Sequence, residues 1–445
     1  MLAATATDDL WNGLWGILRS YGQSQTDLKK LPNNADGMAP TISNIGDFTG
    51  VCPKSAPTRT FNVSAVRADL ALPGNTLVYN KREMHKGVIH DPTAILYVRD
   101  TDLDSAFKLK ADVPIEPLVL RAAAGDCITV QLTNRLPAGV QADLDGWNTL
   151  PMIVRRFNNN HVKPSSNVGL NPTQTAAPGH KVTYQWYAGQ LDVNDATGFA
   201  TTTPIEFGAI NLSPADPIKQ AHKGAIGALI IEPKDSTWVE DTTSRASATV
   251  TSGTTVFRDF VLQFQTDINL RFGHPDGPIP NVAGIEDPED SGHKAFNYRT
   301  EPMWKRFDYA PETPLEETRE KNFAHAFHNE KIGNNPQTPI FTAAAGQPIR
   351  FRILNPGGHA RNNVFVLHGH IWRELPYIDN STKIGANPTS EWASTFMGIG
   401  PSSHFDVVPE HGAGGKWGVV GDYLFRTQVS TQVDGGLWGL LRVTP

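Results

Sequence analysis

Two thirteen-residue stretches share one pattern, and they decide the fold. Ala122 to Asn134 reads AAAGDCITVQLTN, and Ala343 to Asn355 reads AAAGQPIRFRILN. Each starts with a glycine turn and continues with apolar and polar residues in alternation. In the second stretch the apolar series is Ile349, Phe351 and Ile353, and the polar series is Arg350 and Arg352. A period of two over about six residues predicts a half-buried β-strand in each place.

A shorter motif occurs three times along the chain. Gly13 to Arg19 reads GLWGILR, Gly436 to Arg442 reads GLWGLLR, and a weaker copy, Gly224 to Ile230, reads GAIGALI. Successive copies begin 211 and 212 residues apart. Because solenoid repeats have periods of only about 20–50 residues, this spacing indicates repeated whole domains.

The repeat also predicts the domain boundaries. Two complete domains, 23–234 and 235–445, are each expected to end with a strand of the motif. Residues 1–22 are expected to be the orphan terminal strand of a similar upstream domain that this chain lacks. The stretch 234–255 is rich in Ser and Thr and is interpreted as a linker. Domains of this size can fold independently, and we expect them to pack through apolar faces.

Short strands separated by Gly and Pro turns indicate an all-β fold. Further strands are predicted at 181–186, 257–264, 363–367, 405–408 and 423–425. This pattern is typical of tandem Greek-key β-sandwiches or barrels. One short helix is expected in the second domain. Thr313 would be its N-cap and Pro314 its first residue, with Glu316 closing a capping box and the helix reaching Lys331.

Composition excludes several classes of protein. The 445 residues carry 39 Lys and Arg against 45 Asp and Glu, a net charge of −6, so the basic footprint of a nucleic-acid-binding protein is missing. The sequence contains no run of about 18 consecutive apolar residues, so no membrane-spanning helix is predicted. Met1 to Asp9, MLAATATDD, shows no signal peptide.

Two cysteines, Cys52 and Cys127, are too few for a four-cysteine metal site or a disulfide scaffold. The sequence leaves open whether these two cysteines form a single disulfide. Cys127 lies in an alternating strand and is interpreted as a small core residue.

Several segments, taken in order, resemble the cupredoxin domains of multicopper oxidases. The first domain carries PLVLRAAAGDCITVQLTNRLP (117–137), TAAPGHKVTYQWYA (175–188) and GAIGALIIEP (224–233). The second carries DFVLQFQTDINL (259–270), FVLHGHIW (365–372), GDYLFRTQ (421–428) and GGLWGLLRV (435–443). The chain resembles the C-terminal, later domains of large bacterial enzymes of the six-cupredoxin type, which includes manganese-oxidising and hephaestin-like members. The resemblance implies cupredoxin-like domains and a periplasmic or extracellular location.

Copper chemistry is what the resemblance implies for the family. Its members oxidise metal ions or organic reductants at a blue type 1 copper and pass electrons to a trinuclear cluster that reduces dioxygen. A type 1 copper needs two His, one Cys thiolate and a weak axial ligand such as Met. The loop before the last strand, where the family carries the Cys and one His, reads RTQVSTQVDG (426–435) and contains none of them.

The ligand strand of the family has the form His-x-x-His-x-His-Gly-His, and this chain departs from it. Only His368 matches a cluster ligand, because the type 1 position is Asn363 and the next cluster position is Val366. His370 matches a position that is not usually a ligand. The chain is therefore expected to bind no copper and to stay colourless when copper is added.

Three hypotheses follow for the function. The first is a copper-ligand-depleted pair of cupredoxin domains that scaffolds or assembles with copper-bearing cupredoxin domains or another subunit of a larger oxidase. The second is an oxidoreductase with an atypical copper site formed by His368, His370 and His404. The third is a protein-binding module. No catalytic residue is assigned, and the sequence leaves open whether the chain is itself an enzyme.

Overall fold

A computed structural model describes most of the chain. The described residues are 2–3, 13–16, 42–144, 175–194, 196–214, 216, 220–282, 293–314, 317, 323–357, 363–378, 381–385 and 387–445. Strands dominate this part, and its α-helices are four or five residues long: α1 (Ala68–Ala71), α2 (Met303–Arg306) and α3 (Ser430–Asp434). The prediction of an all-β chain is confirmed. In the described part, no helix has the length and apolar character needed to cross a bilayer.

The first half of the chain builds one β-sandwich. Its strands, in chain order, are β1 (Leu2–Ala3), β2 (Trp15–Gly16), β3 (Phe48–Thr49), β4 (Cys52–Pro53), β5 (Thr58–Arg67), β6 (Leu77–Asn80), β7 (Ile89–Asp91), β8 (Ile95–Arg99), β9 (Leu118–Ala123), β10 (Cys127–Asn134), β11 (Lys181–Tyr187), β12 (Gly189–Val193), β13 (Ala200–Pro204), β14 (Gly208–Leu212) and β15 (Gly227–Glu232). One layer has the order β11-β10-β5-β8 and the other β14-β15-β9.

The second half repeats this architecture. Its strands are β16 (Thr237–Asp241), β17 (Ser244–Ser252), β18 (Thr255–Ile268), β19 (Arg271–Gly273), β20 (Asp276–Pro278), β21 (His293–Phe296), β22 (Ile340–Ala344), β23 (Ile349–Leu354), β24 (Asn363–Leu367), β25 (Trp372–Arg373), β26 (Trp392–Ala393), β27 (Thr395–Ile399), β28 (His404–Val407), β29 (Gly421–Thr427) and β30 (Trp438–Thr444). The layers are β16-β17-β18-β23-β28 and β22-β30-β29-β24-β27.

The repeated AAAG turn carries the chain from one layer of each sandwich to the other. β9 and β10 lie in different sheets, and so do β22 and β23. In both turns a glycine, Gly125 or Gly346, has a positive φ at the third position, as a type II turn requires. The residue after each glycine donates its backbone N–H to the first residue of the turn, at 3.0 Å in both copies. The strand that follows each turn then pairs in parallel with a strand that is distant in the sequence: β10 pairs with β5, and β23 pairs with β18.

The GLWG-type motif has one local conformation in its three copies. The first glycines, Gly13, Gly224 and Gly436, have φ values of 96°, 97° and 112°. Each accepts a backbone hydrogen bond from the residue two positions later. The motif therefore forms the same sharp entry to a strand each time. In the second and third copies that strand is β15 or β30, the last strand of its sandwich.

The two sandwiches stack as four layers. The β14-β15-β9 sheet buries one face against β10 and β5 and its other face against the sheet that contains β18 and β23. A further sheet, β20-β19-β7-β6, joins strands of both halves, with Phe272 pairing with Ile89. A third apolar core, which includes Leu77 and Trp304, lies around this shared sheet. The interface is thus more than the apolar packing that we predicted, and it includes charged groups described below.

Two sequence-based expectations about local structure need correction. The supposed linker at 234–255 forms the hairpin β16–β17, because its Thr, Val and Ala residues alternate and fit a half-buried strand. Residues 315, 316 and 318–322 of the predicted helix after Pro314 lie outside the described residues. Its described end is a 3-10 helix, Phe323–His325, followed by turns, so His325 and His328 do not share a continuous helical face. The resemblance places the equivalent of the ligand strand in the first domain at 165–170, which contains no His and also lies outside the described residues.

Candidate metal centre

His368 lies at the surface, immediately after β24. Its backbone N–H donates to Leu424 O at 2.9 Å, which places it beside β29. Its ring Nε2 accepts a hydrogen bond from Nε of Arg426 at 3.2 Å. Partial burial and the charge of Arg426 both lower the pKa of His368. The ring is therefore neutral at pH 7, and one of its two nitrogens already has a cationic partner.

His370 is buried, and both of its ring nitrogens are hydrogen-bonded. Nδ1 contacts the carbonyl oxygen of His368 at 2.9 Å, and Nε2 accepts from the backbone N–H of Gly414 at 3.0 Å. A carbonyl oxygen can only accept, so Nδ1 carries the proton. The ring also meets Tyr423 edge to face at 4.8 Å. Burial lowers the pKa of His370, and these contacts make it a neutral residue that holds the 414 loop against β24.

His404 lies at the other end of the sandwich. It begins β28 and pairs with Leu354. The neighbouring Asn355 contacts Ile399, which pairs with Asn363 at the start of β24. His368 follows the far end of β24, about 16 Å further along at a rise of ~3.3 Å per residue. The three candidate histidines do not converge on one point. Within the described ranges no group of three or more His, Cys, Asp or Glu side chains is arranged to hold a metal ion.

The two positions where the family carries further histidines are buried. Asn363 is 1% exposed, and its Oδ1 has no hydrogen-bond partner among the described residues. Val366 is also buried and faces Thr395 across the β24–β27 ladder. The loop before β30 contains the helix α3, in which Gln432 bonds to Thr427 at 3.2 Å and Val433 is buried. Amide and apolar groups therefore occupy the positions at which the resemblance implied copper ligands.

Both cysteines of the chain form one disulfide, Cys52–Cys127. Cys127 is buried, as the alternating strand predicts, and it lies in an apolar cluster with Val51 and Tyr187. The sequence left a single disulfide open, and strand β4 forms it by bringing Cys52 next to Cys127. With both sulfurs in this bond, the folded chain presents no thiolate for a copper ion.

The most heavily charged buried site is one that sequence reasoning missed. It lies between the sandwiches and consists of Arg121 and Glu232 from the first half and Asp259, Arg352 and Asp406 from the second, all of them buried. Glu232 accepts from Arg121 at 2.7 Å and from Arg352 at 2.8 Å. Asp259 accepts from the same two guanidinium groups at 2.5 and 2.6 Å. Each carboxylate thus bridges both arginines.

Asp406 completes this interface cluster. It accepts from Arg352 at 2.8 Å and from the backbone N–H of Ala209 at 3.1 Å. Two arginines against three carboxyl groups leave one surplus negative charge. Burial, and next the charge of Asp259, raise the pKa of Glu232 to about 7. Burial opposes ionisation of Asp259 too, but Arg352 and Arg121 hold its pKa below the ordinary value. Of Glu232 and Asp259, Glu232 is therefore the carboxyl group that takes up a proton first.

One signal in the sequence points to this cluster. Arg121 directly precedes the first AAAG turn, in an otherwise apolar strand. Arg352 follows the second AAAG turn, in an alternating strand. The alternation alone predicts that Arg350 and Arg352 face solvent. The structure buries Arg352 because the polar face of β23 packs against the other sandwich.

Comparison with known proteins finds similar structures only. No protein-family model matches the chain, and no curated protein matches it. The chain is similar to a copper nitrite reductase from Nitrosomonas europaea, with 16% identity, a TM-score of 0.47 and coverage of 87% of this chain and 94% of that one. It is also similar to a multicopper oxidase, with 14% identity, a TM-score of 0.43 and coverage of 87% and 89%. A blue copper oxidase from Nitrosomonas europaea is similar too, with 14% identity, a TM-score of 0.44 and coverage of 87% of this chain and 86% of that one. These similarities do not assign an activity to the chain.

Proposed function

We propose that this chain is a copper-ligand-depleted pair of cupredoxin-like domains that assembles with copper-bearing cupredoxin domains of a larger multicopper oxidase. In this proposal it belongs to the six-cupredoxin, manganese-oxidase or hephaestin-like type. The domains are 23–234 and 235–445, and 1–22 is a terminal strand that completes a sheet elsewhere. The copper-bearing partner oxidises metal ions or organic reductants with dioxygen, and this chain supplies structure.

The observation that carries the proposal is the disulfide between the only two cysteines. Type 1 copper needs a thiolate, and this chain uses both sulfurs to join β4 to β10. Asn363 and Val366 at two further ligand positions, and the two hydrogen bonds on the His370 ring, point the same way. A β-sandwich does not require a metal for its core, so its fold can persist without ligands.

The disulfide also supports a location in an oxidising compartment. Disulfides form and persist in secreted and periplasmic proteins and are rare in the reducing cytosol. We therefore propose a periplasmic or extracellular location. Fractionation of the native host, with antibody detection of the chain, tests this. Recovery of the reduced chain from the cytosolic fraction alone would contradict it.

The central experiment combines metal analysis with partner identification. The chain is purified without reductant, incubated with copper, and analysed by mass spectrometry for metal content and by visible absorption. We expect less than stoichiometric copper and no intense thiolate-to-copper band. Purification from the native host should retain a partner that carries His-x-His and His-Cys-His motifs.

Two results would overturn the proposal. The first is stoichiometric copper that is lost in the His368→Ala variant but kept in His274→Ala, a surface control. That result would instead establish the atypical site at His368, His370 and His404. The second is a native complex without any copper-bearing protein, which would favour a general protein-binding module.

A further inference from the structure

A groove of about 500 Å³ lies where β5 and β10 end, on the first sandwich. This volume is within the range of about 300–1,000 Å³ that small-molecule sites occupy. The helix α1 supplies Leu70 to one wall, and the turn at 104–108 supplies Phe107 to the other. Most of the lining is apolar, and the rest is cationic, hydroxylic or, at Asn134, an amide. Its polar side chains include Arg67, Lys108, Thr133 and Arg135.

Phe107 is held over the groove in an unusual backbone conformation. Its φ is 60°, which is an outlier for a bulky residue, and its side chain is 49% exposed. The turn is fixed by Asp104, whose Oδ1 accepts from the backbone N–H groups of Ala106 and Lys108 at 2.8 and 2.9 Å. The guanidinium carbon of Arg135 lies 3.5 Å from the centroid of the Phe107 ring. An aromatic surface and a cation are therefore placed together before any ligand arrives.

The charges of the groove are not balanced. Asp69 neutralises Arg67 through two hydrogen bonds at 2.7 and 2.5 Å. Arg135 uses Nε to donate to Ser64 at 2.9 Å. Among the described residues, no side chain accepts a hydrogen bond from Nη1 or Nη2 of Arg135 or from Nζ of Lys108. The lining residues include no carboxylate, so two positive charges face the groove.

Thr133 also borders the groove, but its hydroxyl is enclosed by protein and is not presented to a ligand. The groups that a ligand can reach are therefore the cations and the apolar wall. Their combination in one concave site is typical of a selective small-molecule pocket.

We propose that this groove binds a small organic anion with an apolar body, of the class of aromatic carboxylates and sulfonates. The apolar body lies between Phe107 and Leu70. The anionic oxygens accept hydrogen bonds from the guanidinium of Arg135 and the ammonium of Lys108. The planar, two-pronged guanidinium suits a carboxylate, and the open face of Phe107 suits a ring. The site is independent of the function proposed above, since it involves no copper and no partner.

The test uses two fluorescent probes with the same aromatic rings. 1-Anilinonaphthalene-8-sulfonate is anionic, and N-phenyl-1-naphthylamine lacks the sulfonate. Each is titrated into the folded full-length chain. We expect saturable binding of the sulfonate at one site. Charge-assisted hydrogen bonds contribute about 1.5–3 kcal/mol, so Arg135→Gln should weaken sulfonate binding about tenfold or more. Lys108→Gln should weaken it several-fold, and both variants should change binding of the neutral probe less than twofold.

A matched control exists in the second sandwich. Arg373 also lies 3.5 Å from an exposed aromatic ring, that of Trp392. Arg373→Gln makes the same change in charge and should leave sulfonate binding unchanged. Phe107→Ala should weaken both probes. Circular dichroism checks that each variant is folded, and Lys108→Gln, at an exposed position, keeps the test valid if Arg135→Gln unfolds. No saturable binding, equal loss in Arg373→Gln, or no response to Lys108→Gln and Arg135→Gln would each overturn the proposal.

Discussion

At the scale of single residues, Glu232 makes the stability of the protein depend on pH. Its pKa is about 7 in the folded protein against 4.5 for an ordinary Glu. Between these values the native state binds more protons than the unfolded chain, so the free energy of unfolding falls as pH rises. We expect this residue to remove up to about 3 kcal/mol between pH 4.5 and pH 8.

Urea denaturation at a series of pH values measures this effect. The Glu232→Gln variant keeps the shape of the side chain but cannot ionise, so its stability should change less over the same range. Comparison with the variant cancels other titrations, including that of His293, whose pKa burial lowers to about 4. Parallel curves for the two proteins would show that Glu232 does not titrate in this window.

The disulfide is the second prediction at this scale. It joins residues that are 75 positions apart, so it removes much of the conformational freedom of the unfolded chain. The double variant Cys52→Ser/Cys127→Ser should be less stable by about 2–4 kcal/mol in non-reducing buffer. Dithiothreitol should bring the wild-type protein down to the level of the variant. Equal stability of the two proteins without reductant would mean that the bond does not form.

At the scale of elements, we expect the loss of stability on replacing the second glycine of the repeated motif by alanine to depend on how closely neighbouring atoms pack against it. These glycines are Gly16, Gly227 and Gly439. A Cβ at Gly439 would lie 2.3 Å from the Phe425 ring and 2.7 Å from Pro339 O. At Gly227 the nearest atom is the Cβ of Leu118, at 3.2 Å, and at Gly16 nothing lies within 4 Å in the described structure. Overpacking costs about 1–3 kcal/mol, so Gly439→Ala should reduce stability by that amount.

The three Gly→Ala variants form their own controls, since they occupy the same position of one motif. Thermal denaturation should rank them with Gly439→Ala least stable, Gly227→Ala intermediate and Gly16→Ala equal to the wild type. Any other order would show that close strand packing does not explain this glycine.

The first copy of the motif presents apolar side chains that the other copies bury. Leu14 and Trp15 are 61% and 56% exposed, whereas Leu437 and Trp438 are fully buried. Trp15–Gly16 pairs with Leu2–Ala3, and residues 1, 4–12 and 17–22 of the predicted terminal strand lie outside the described residues. Burying each large apolar side chain contributes about 1.5–3 kcal/mol, so we predict that this copy docks on a sheet by strand addition.

The docking prediction is tested in the full-length chain by Leu14→Ser/Trp15→Ser and by deletion of residues 1–20. Both should abolish co-purification with the native partner. The matched control is Trp417→Ser, which changes another exposed tryptophan. Unchanged stability, solubility and partner recovery after the deletion would refute docking.

At the scale of the whole molecule, the two sandwiches should unfold together. They share the β7–β19 ladder, a common apolar core and the interface cluster of five charged groups. Separating them would leave buried charges without partners, which costs several kcal/mol per group. Calorimetry should give one transition whose calorimetric and van't Hoff enthalpies agree. Two resolved transitions would show that the sandwiches are energetically independent.

Local pattern alone was enough for much of the fold. Alternation of apolar and polar residues predicted β10 and β23, and short runs between Gly and Pro turns predicted β11, β18 and β24. The recurring motif predicted two similar units, and the loop before β30 contains no Cys, His or Met in its sequence. These features depend on residues close together in the sequence, which is why they can be read without coordinates.

Only the tertiary structure decided what each face meets. Arg352 alternates like a solvent-facing residue, yet it is buried because β23 packs on another sandwich whose Glu232 is 120 positions away. The pairing of Cys52 with Cys127, the hydrogen bond from Gly414 to His370 and the position of Arg135 over the Phe107 ring likewise depend on contacts between separate segments. Alternation reports that a strand has a polar face. Whether that face meets water, a ligand or another sheet is determined by chain folding over long separations.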